Sequence, residues 1–151
     1  MQVKPVGTVV GGRAEPYDDD WAVERAVVRL DGDAFGTDAL VGLAEFSHVE
    51  VVFVFHLVAP EDVRTGARRP RDNPDWPPVG IFAQRGKVRP NRLGVSRCRL
   101  LSVEGLDVHV LGLDAVDGTP VLDIKPYMAE FGPLGEIRQP EWATQLMRDY
   151  Y

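Results

Sequence analysis

The sequence predicts a small, mainly β domain, either a barrel or a sandwich. Three observations carry this reading. The chain has 151 residues, which suits one hydrophobic core. It holds 15 glycines and 12 prolines, a density of turn formers that fits short strands better than a helical bundle. Its apolar residues also fall in short valine-rich runs bounded by turn signals, about six or seven in all, as short strands do.

Taken in order, Lys4 to Val10 is valine-rich and stops at Gly11-Gly12, so it reads as a strand and a turn. Trp21 to Leu30 ends as a second strand before the turn signal Asp31-Gly32-Asp33. Asp38 to Phe46 reads as a helical turn with Leu40, Leu43 and Phe46 facing inward. His48 to Val58 is the strongest strand. Its apolar run Val51-Val52-Phe53-Val54-Phe55 is unbroken, which predicts cover on both faces. Pro60 to Pro78 is a long loop dense in arginine and proline, and a loop of that length predicts a functional arm or lid. Gly80 to Ala83 is a short strand. Val95 to Val103 alternates, with Val95, Arg97, Arg99 and Leu101 on one face and Ser96, Cys98, Leu100 and Ser102 on the other. Leu106 to Leu113 and Pro120 to Ile124 complete the strands. Pro140 to Tyr150 reads as a C-terminal helix, with Trp142, Leu146 and Tyr150 on one stripe.

Composition narrows the function. Hydrophobic residues are 44% and charged residues 26% of the chain, values of an ordinary globular protein rather than a disordered one. No apolar run approaches the length of a bilayer span, so no membrane partner is expected. Cys98 is the sole cysteine, which excludes an internal disulfide and suggests a reducing, cytoplasmic setting. The net charge of −6 hides an asymmetry. From Arg64 to Arg99, ten basic residues face only Asp72 and Asp75, giving +8 locally against −14 elsewhere. Such a segment can hold an anion on an acidic protein, or it can be neutralised by acidic neighbours. The chain has no G-x-G-x-x-G, no G-x-x-x-x-G-K-[ST] and no G-x-S-x-G. His48, His56 and His109 lack metal spacing, so no metal is expected.

Two segments say more. Residues 80–96 read GIFAQRGKVRPNRLGVS, and residues 112–127 read GLDAVDGTPVLDIKPY. Both closely resemble signature motifs of the TsaA-like (TrmO) family. Pro5 to Val9, Gly42 to His48 and Phe53 to His56 also resemble family segments. Arg92 stands where the family usually has proline, and Gln84 and Gly86 replace a common threonine and serine. The resemblance implies one β-barrel domain over residues 1–151 that works as a homodimer. It also implies S-adenosylmethionine as cofactor, bound near the subunit interface without a Rossmann fold. The implied activity is N6-methylation of N6-threonylcarbamoyladenosine beside the tRNA anticodon. Methylation of a small molecule, or cofactor binding without catalysis, is the alternative.

A site of that kind needs acceptors for an ammonium or ribose hydroxyls, a cation for a carboxylate, and an apolar slot for adenine. Within the resemblance, Asp114 and Asp117 flank one tight turn and are the candidate acceptors, or turn formers through their own side chains. Arg89, stiffened by Pro90, is the candidate fork for a carboxylate. Phe82 is placed at the adenine slot. His56, Arg25 and Cys98 complete the expected cofactor set. Arg64, Arg68, Arg69, Arg71, Arg85 and Lys87 are expected to meet tRNA phosphates. The same arginines could instead pair with acidic residues such as Asp18 to Asp20. No general base is assigned.

Overall fold

In the computed structural model, which describes residues 2–151, six antiparallel strands close into a barrel. They are β1 (Gly7–Val10), β2 (Arg25–Leu30), β3 (His48–Val54), β6 (Leu93–Glu104), β7 (Asp107–Leu111) and β8 (Pro120–Pro126). Their order around the barrel is β1-β2-β7-β6-β3-β8, and β8 pairs back onto β1 to close it. Closure gives every barrel strand a neighbour on each side over at least part of its length. Two further strands, β4 (Ala67–Arg68) and β5 (Val79–Gly80), form a small hairpin outside the barrel. The barrel settles the choice between barrel and sandwich.

Alternation builds the interior. Val9, Val28, Val49, Val51, Val108, Val110 and Val121 are all fully buried, one or two from each short strand. On β6 the inward residues are Gly94, Ser96, Cys98 and Leu100, and the outward ones are Leu93, Val95, Arg97 and Arg99. Charge decides this face. Arg97 stays outside, where it pairs with Glu50 across the strand at 2.6 Å and stacks on Tyr127. Gly94 makes room for Phe53, since a Cβ there would stand 2.4 Å from the ring.

Several sequence expectations are corrected. A shift of register between Leu100 and Ser102 makes Leu101 an extra residue in β6. Beyond that bulge Val103, not Ser102, packs against the core. The apolar run of β3 is not covered on both faces. Val49, Val51 and Phe53 point into the barrel, while Val52 and Val54 are half-buried on the outside. There they pair with the exposed Val95 and Leu93. Strand β3 ends at Val54 rather than Val58, and Gly80 to Ala83 is mostly a 3-10 turn, Ile81–Ala83. The long loop is not bare, since it contains β4 and the 3-10 turns Pro60–Asp62 and Pro70–Asp72. Leu40 is buried as expected, with Leu43 packed partly against the core.

The C-terminal helix α1 is short, Glu141–Leu146, with Pro140 as its N-cap. Residues 147–150 continue as a turn, and Trp142, Leu146 and Tyr150 remain its half-buried stripe. Its tail is held by main-chain bonds, from Asp20 N to Asp149 O and from Trp21 N to Tyr150 O, both 2.9 Å. Among the described residues, no helix is long and apolar enough to cross a membrane.

Candidate functional site

The site forms where β6 lacks a second partner. Residues Leu93 to Cys98 pair only with β3, because β7 joins β6 at Arg99. The loop from Gly112 to Thr119 settles into the space left there. Its Leu113, Ala115 and Val116 are buried, which plugs the barrel and leaves Asp114 beside β6. The loop is pinned on all sides. Gly112 N donates to Glu24 O, Asp117 N to Arg13 O, and Gly118 N to Val9 O.

Asp114 has an unusual environment. Its backbone N–H reaches Ser96 Oγ at 3.5 Å. Its Oδ2 accepts a hydrogen bond from the Tyr150 hydroxyl. Its Oδ1 is buried with no hydrogen-bond partner among the described residues. A buried carboxylate oxygen left unpaired is costly, which makes Asp114 Oδ1 the candidate acceptor of this site. The groups around it are Cys98, Ser96, Tyr150 and Tyr151. Burial, then the charge of Asp114, pushes the Cys98 thiol up to about 12. Burial and the same carboxylate push both phenols up as well, with Arg85 opposing them. Arg85 also donates to Val95 O at 2.9 Å. The Tyr150 and Tyr151 rings meet edge to face, their centroids 4.9 Å apart.

The structure thus brings Asp114 and Cys98 together, with Arg85 beside the phenols that meet Asp114. Asp117 and His56 gather at the other end of the same loop. Asp117 Oδ1 accepts from Gly11 N at 2.8 Å, a turn-forming bond. His56 Nδ1 lies 3.3 Å from Thr119 Oγ1. Three other expected residues make no hydrogen bond or ion pair to Asp114 among the described residues. Arg89 donates to Gln84 O at 2.9 Å, bracing its own loop. Phe82 is 79% exposed. Arg25 is exposed on β2, opposite Leu111. Among the described residues no group of three or more His, Cys, Asp or Glu is placed to hold a metal.

The basic residues divide. Arg64, Arg68 and Lys87 line a cleft of about 550 Å³, together with Asp62, Asp72, Leu57 and Val58. None of the seven expected cofactor residues lines it. Arg68 pairs with Asp72 at 3.0 Å. Arg69 spends Nη1 on the carbonyls of Pro74 and Trp76. Arg71 pairs with Asp19 at 2.7 Å and with Asp18 at 3.7 Å. It therefore ties the arm to the acidic turn of its own chain.

Sequence reasoning missed two features. One is Arg13, 7% exposed, which bonds Glu24 and the carbonyls of Tyr17, Asp19 and Asp20. Its guanidinium is sandwiched between the rings of Tyr17 and Trp21, at 3.5 and 3.7 Å. The other is the pair Tyr150 and Tyr151. An arginine between acidic and aromatic residues was the only signal for the first. The second lies outside both motifs and had none.

The family model of the tRNA-methyltransferase O N-terminal domain matches residues 15–132. A mouse tRNA (adenine(37)-N6)-methyltransferase is 40% identical over 109 residues, covering 71% of this chain and 25% of that protein. A Methanothermobacter thermautotrophicus protein named "Probable S-adenosyl-L-methionine-binding protein" is 40% identical over 98 residues, covering 65% of this chain and 67% of that one. The crystal structure of TrmO from Pseudomonas aeruginosa superposes with a TM-score of 0.75 at 28% identity. That match covers 94% of this chain and 61% of the crystal chain. The chain thus spans about a quarter of the mouse enzyme it matches. Motifs, barrel and family model agree, and the chain belongs to the family of the tRNA-methyltransferase O N-terminal domain.

Proposed function

We propose that the protein transfers a methyl group from S-adenosylmethionine to N6 of N6-threonylcarbamoyladenosine beside the tRNA anticodon, in the cytoplasm, as a homodimer. The observation that carries the cofactor is Asp114 Oδ1, buried and without a donor among the described residues. Its partner would be the ligand's ammonium or a ribose hydroxyl. Arg85, beside both phenols, would meet the ligand's carboxylate. The names of the archaeal and mouse relatives support the cofactor and the tRNA acceptor respectively.

When bound, S-adenosylmethionine supplies an electrophilic methyl on a sulfonium. The reaction forms the N6–methyl bond, breaks the sulfur–methyl bond and releases the N6 proton. The protein's part is position and electrostatics, holding donor and acceptor in line. Arg64 and Lys87, in the cleft, would hold phosphates of the anticodon stem.

Support for the dimer is the apolar outer patch of β3 and β6. Val52 and Val54 are half-buried there beside Leu93 and Val95, which are 39% and 46% exposed. Exposed apolar side chains that cluster, rather than scatter, suit a protein interface. The archaeal relative's name favours a second reading, a binding module without catalysis.

Incubation with labelled S-adenosylmethionine and tRNA, followed by mass spectrometry of the nucleosides, separates these readings. Label in the methylated threonylcarbamoyl nucleoside supports the proposal. Binding of the cofactor without label in any tRNA supports the module. Asp114→Ala should weaken cofactor binding roughly tenfold or more, the usual loss for a charged hydrogen bond.

A further inference from the structure

The last residues of the chain lie outside the family match, which ends at 132, yet they reach the candidate site. The route is well defined. Trp76 Nε1 donates to Gln145 Oε1 at 2.8 Å, fixing α1 against the basic arm. The main chain of Asp149 and Tyr150 then bonds to Asp20 and Trp21. This delivers the Tyr150 hydroxyl to Asp114 Oδ2.

A carboxylate at the mouth of a barrel can rotate about its last torsion, and either oxygen can then face a ligand. With Oδ2 held by a half-buried phenol, the rotation is stopped. Oδ1 is left buried, without a partner among the described residues, and fixed in direction. A tail that merely sealed the site would be expected to satisfy both oxygens, because an unpaired one costs stability. Resting on the cofactor reading above, we infer that Tyr150 is a positioning residue: its hydroxyl orients the Asp114 carboxylate so that Oδ1 accepts a hydrogen bond from the methyl donor. The ligand group is an N–H or O–H donor, either the ammonium of the amino-acid tail or a ribose hydroxyl. Tyr151 packs edge to face on the Tyr150 ring.

Tyr150→Phe removes the hydroxyl and keeps the ring and the main-chain bonds, so a melting midpoint near the parent's is expected. Calorimetry with S-adenosylmethionine should show roughly tenfold weaker binding for Tyr150→Phe, and a loss at least as large for Asp114→Asn. The double variant should bind as weakly as Asp114→Asn alone, because the hydroxyl acts only through the carboxylate. A purely structural role for Tyr150 would instead give additive losses. 5′-Methylthioadenosine, which has the ribose but no ammonium, distinguishes the two donor groups. An equal loss for both ligands assigns the ribose, and a loss for S-adenosylmethionine alone assigns the ammonium. Additive losses, or Tyr150→Phe binding as tightly as the parent or more tightly, overturn the inference while leaving the cofactor reading intact. A parent protein that takes up no S-adenosylmethionine at millimolar concentration overturns the cofactor reading, and this inference with it.

Discussion

Replacing Arg13 with methionine keeps an unbranched stem of similar reach and deletes the guanidinium. Three losses follow. Glu24 loses the partner that meets its carboxylate at 3.0 Å. The carbonyls of Tyr17, Asp19 and Asp20 lose their shared donors. The rings of Tyr17 and Trp21 lose the cation between them. Breaking a buried charge pair from one side costs about 3–5 kcal/mol. Each stacked ring adds roughly 0.5–2 kcal/mol when the cation is desolvated. Against this, the loop carbonyls can turn to water, because Tyr17 and Asp20 are themselves exposed. Glu24 is also 21% exposed and keeps part of its hydration, so the lower ends of these ranges apply and a net loss of about 4 kcal/mol is expected. For a chain of this size that corresponds to a fall of roughly 8–16 °C in Tm. Arg13→Lys restores the charge and one bond to Glu24, but a lysine has no planar fork to span three carbonyls. It should recover less than half of the loss. Urea titration followed by tryptophan fluorescence measures both variants, since Trp21 reports directly on the sandwich. A loss below about 1 kcal/mol for Arg13→Met would place this cluster among ordinary surface ion pairs and refute the reasoning.

Three further outcomes are expected. The Cys98 thiol, held at about 12 when folded against 9.0 as its reference, keeps its proton in the native state while the unfolded chain gives it up. Stability should therefore be full below about pH 9 and fall through the window from 9 to 12, by up to about 1.4 kcal/mol per pH unit. In Cys98→Ala that part of the slope should vanish in urea titrations run across pH, and an unchanged slope would count against it. Gly94→Ala drives a methyl to 2.4 Å from the Phe53 ring; an expected loss of about 1–3 kcal/mol should be relieved by adding Phe53→Leu, as differential scanning calorimetry would show. Arg64→Ala with Lys87→Ala, both in the basic cleft, should reduce the salt slope of tRNA binding by roughly one unit per lost phosphate contact. Arg71→Ala should leave that slope unchanged in filter binding, because Arg71 is occupied by Asp18 and Asp19.

Local patterning in the sequence determined the strands. Short valine-rich runs bounded by turn signals marked where the strands lie, and in the folded barrel the pleat sends Val9, Val28, Val49, Val51 and Val108 inside. The two long motifs carried the family and marked the loop that bears Asp114. Alternation could not reveal the bulge at Leu101, since one extra residue reverses inside and outside without leaving a signal in composition. Nor could it show that the outer face of Val52 and Val54 stays half open, because a continuous apolar run looks the same whether a layer of the same chain or another surface covers it. The tertiary structure alone decided the company each site residue keeps. Barrel closure joins Thr8 to Pro120, and the tail carries Tyr150 back to Asp114 across 36 positions. Such contacts are set by the packing of whole elements around one core, and no local run of residues encodes them. For the same reason Arg85 sits with the phenols while Arg89, four residues on, braces a loop. The choice between these arginines was made by where the β6 edge lies open.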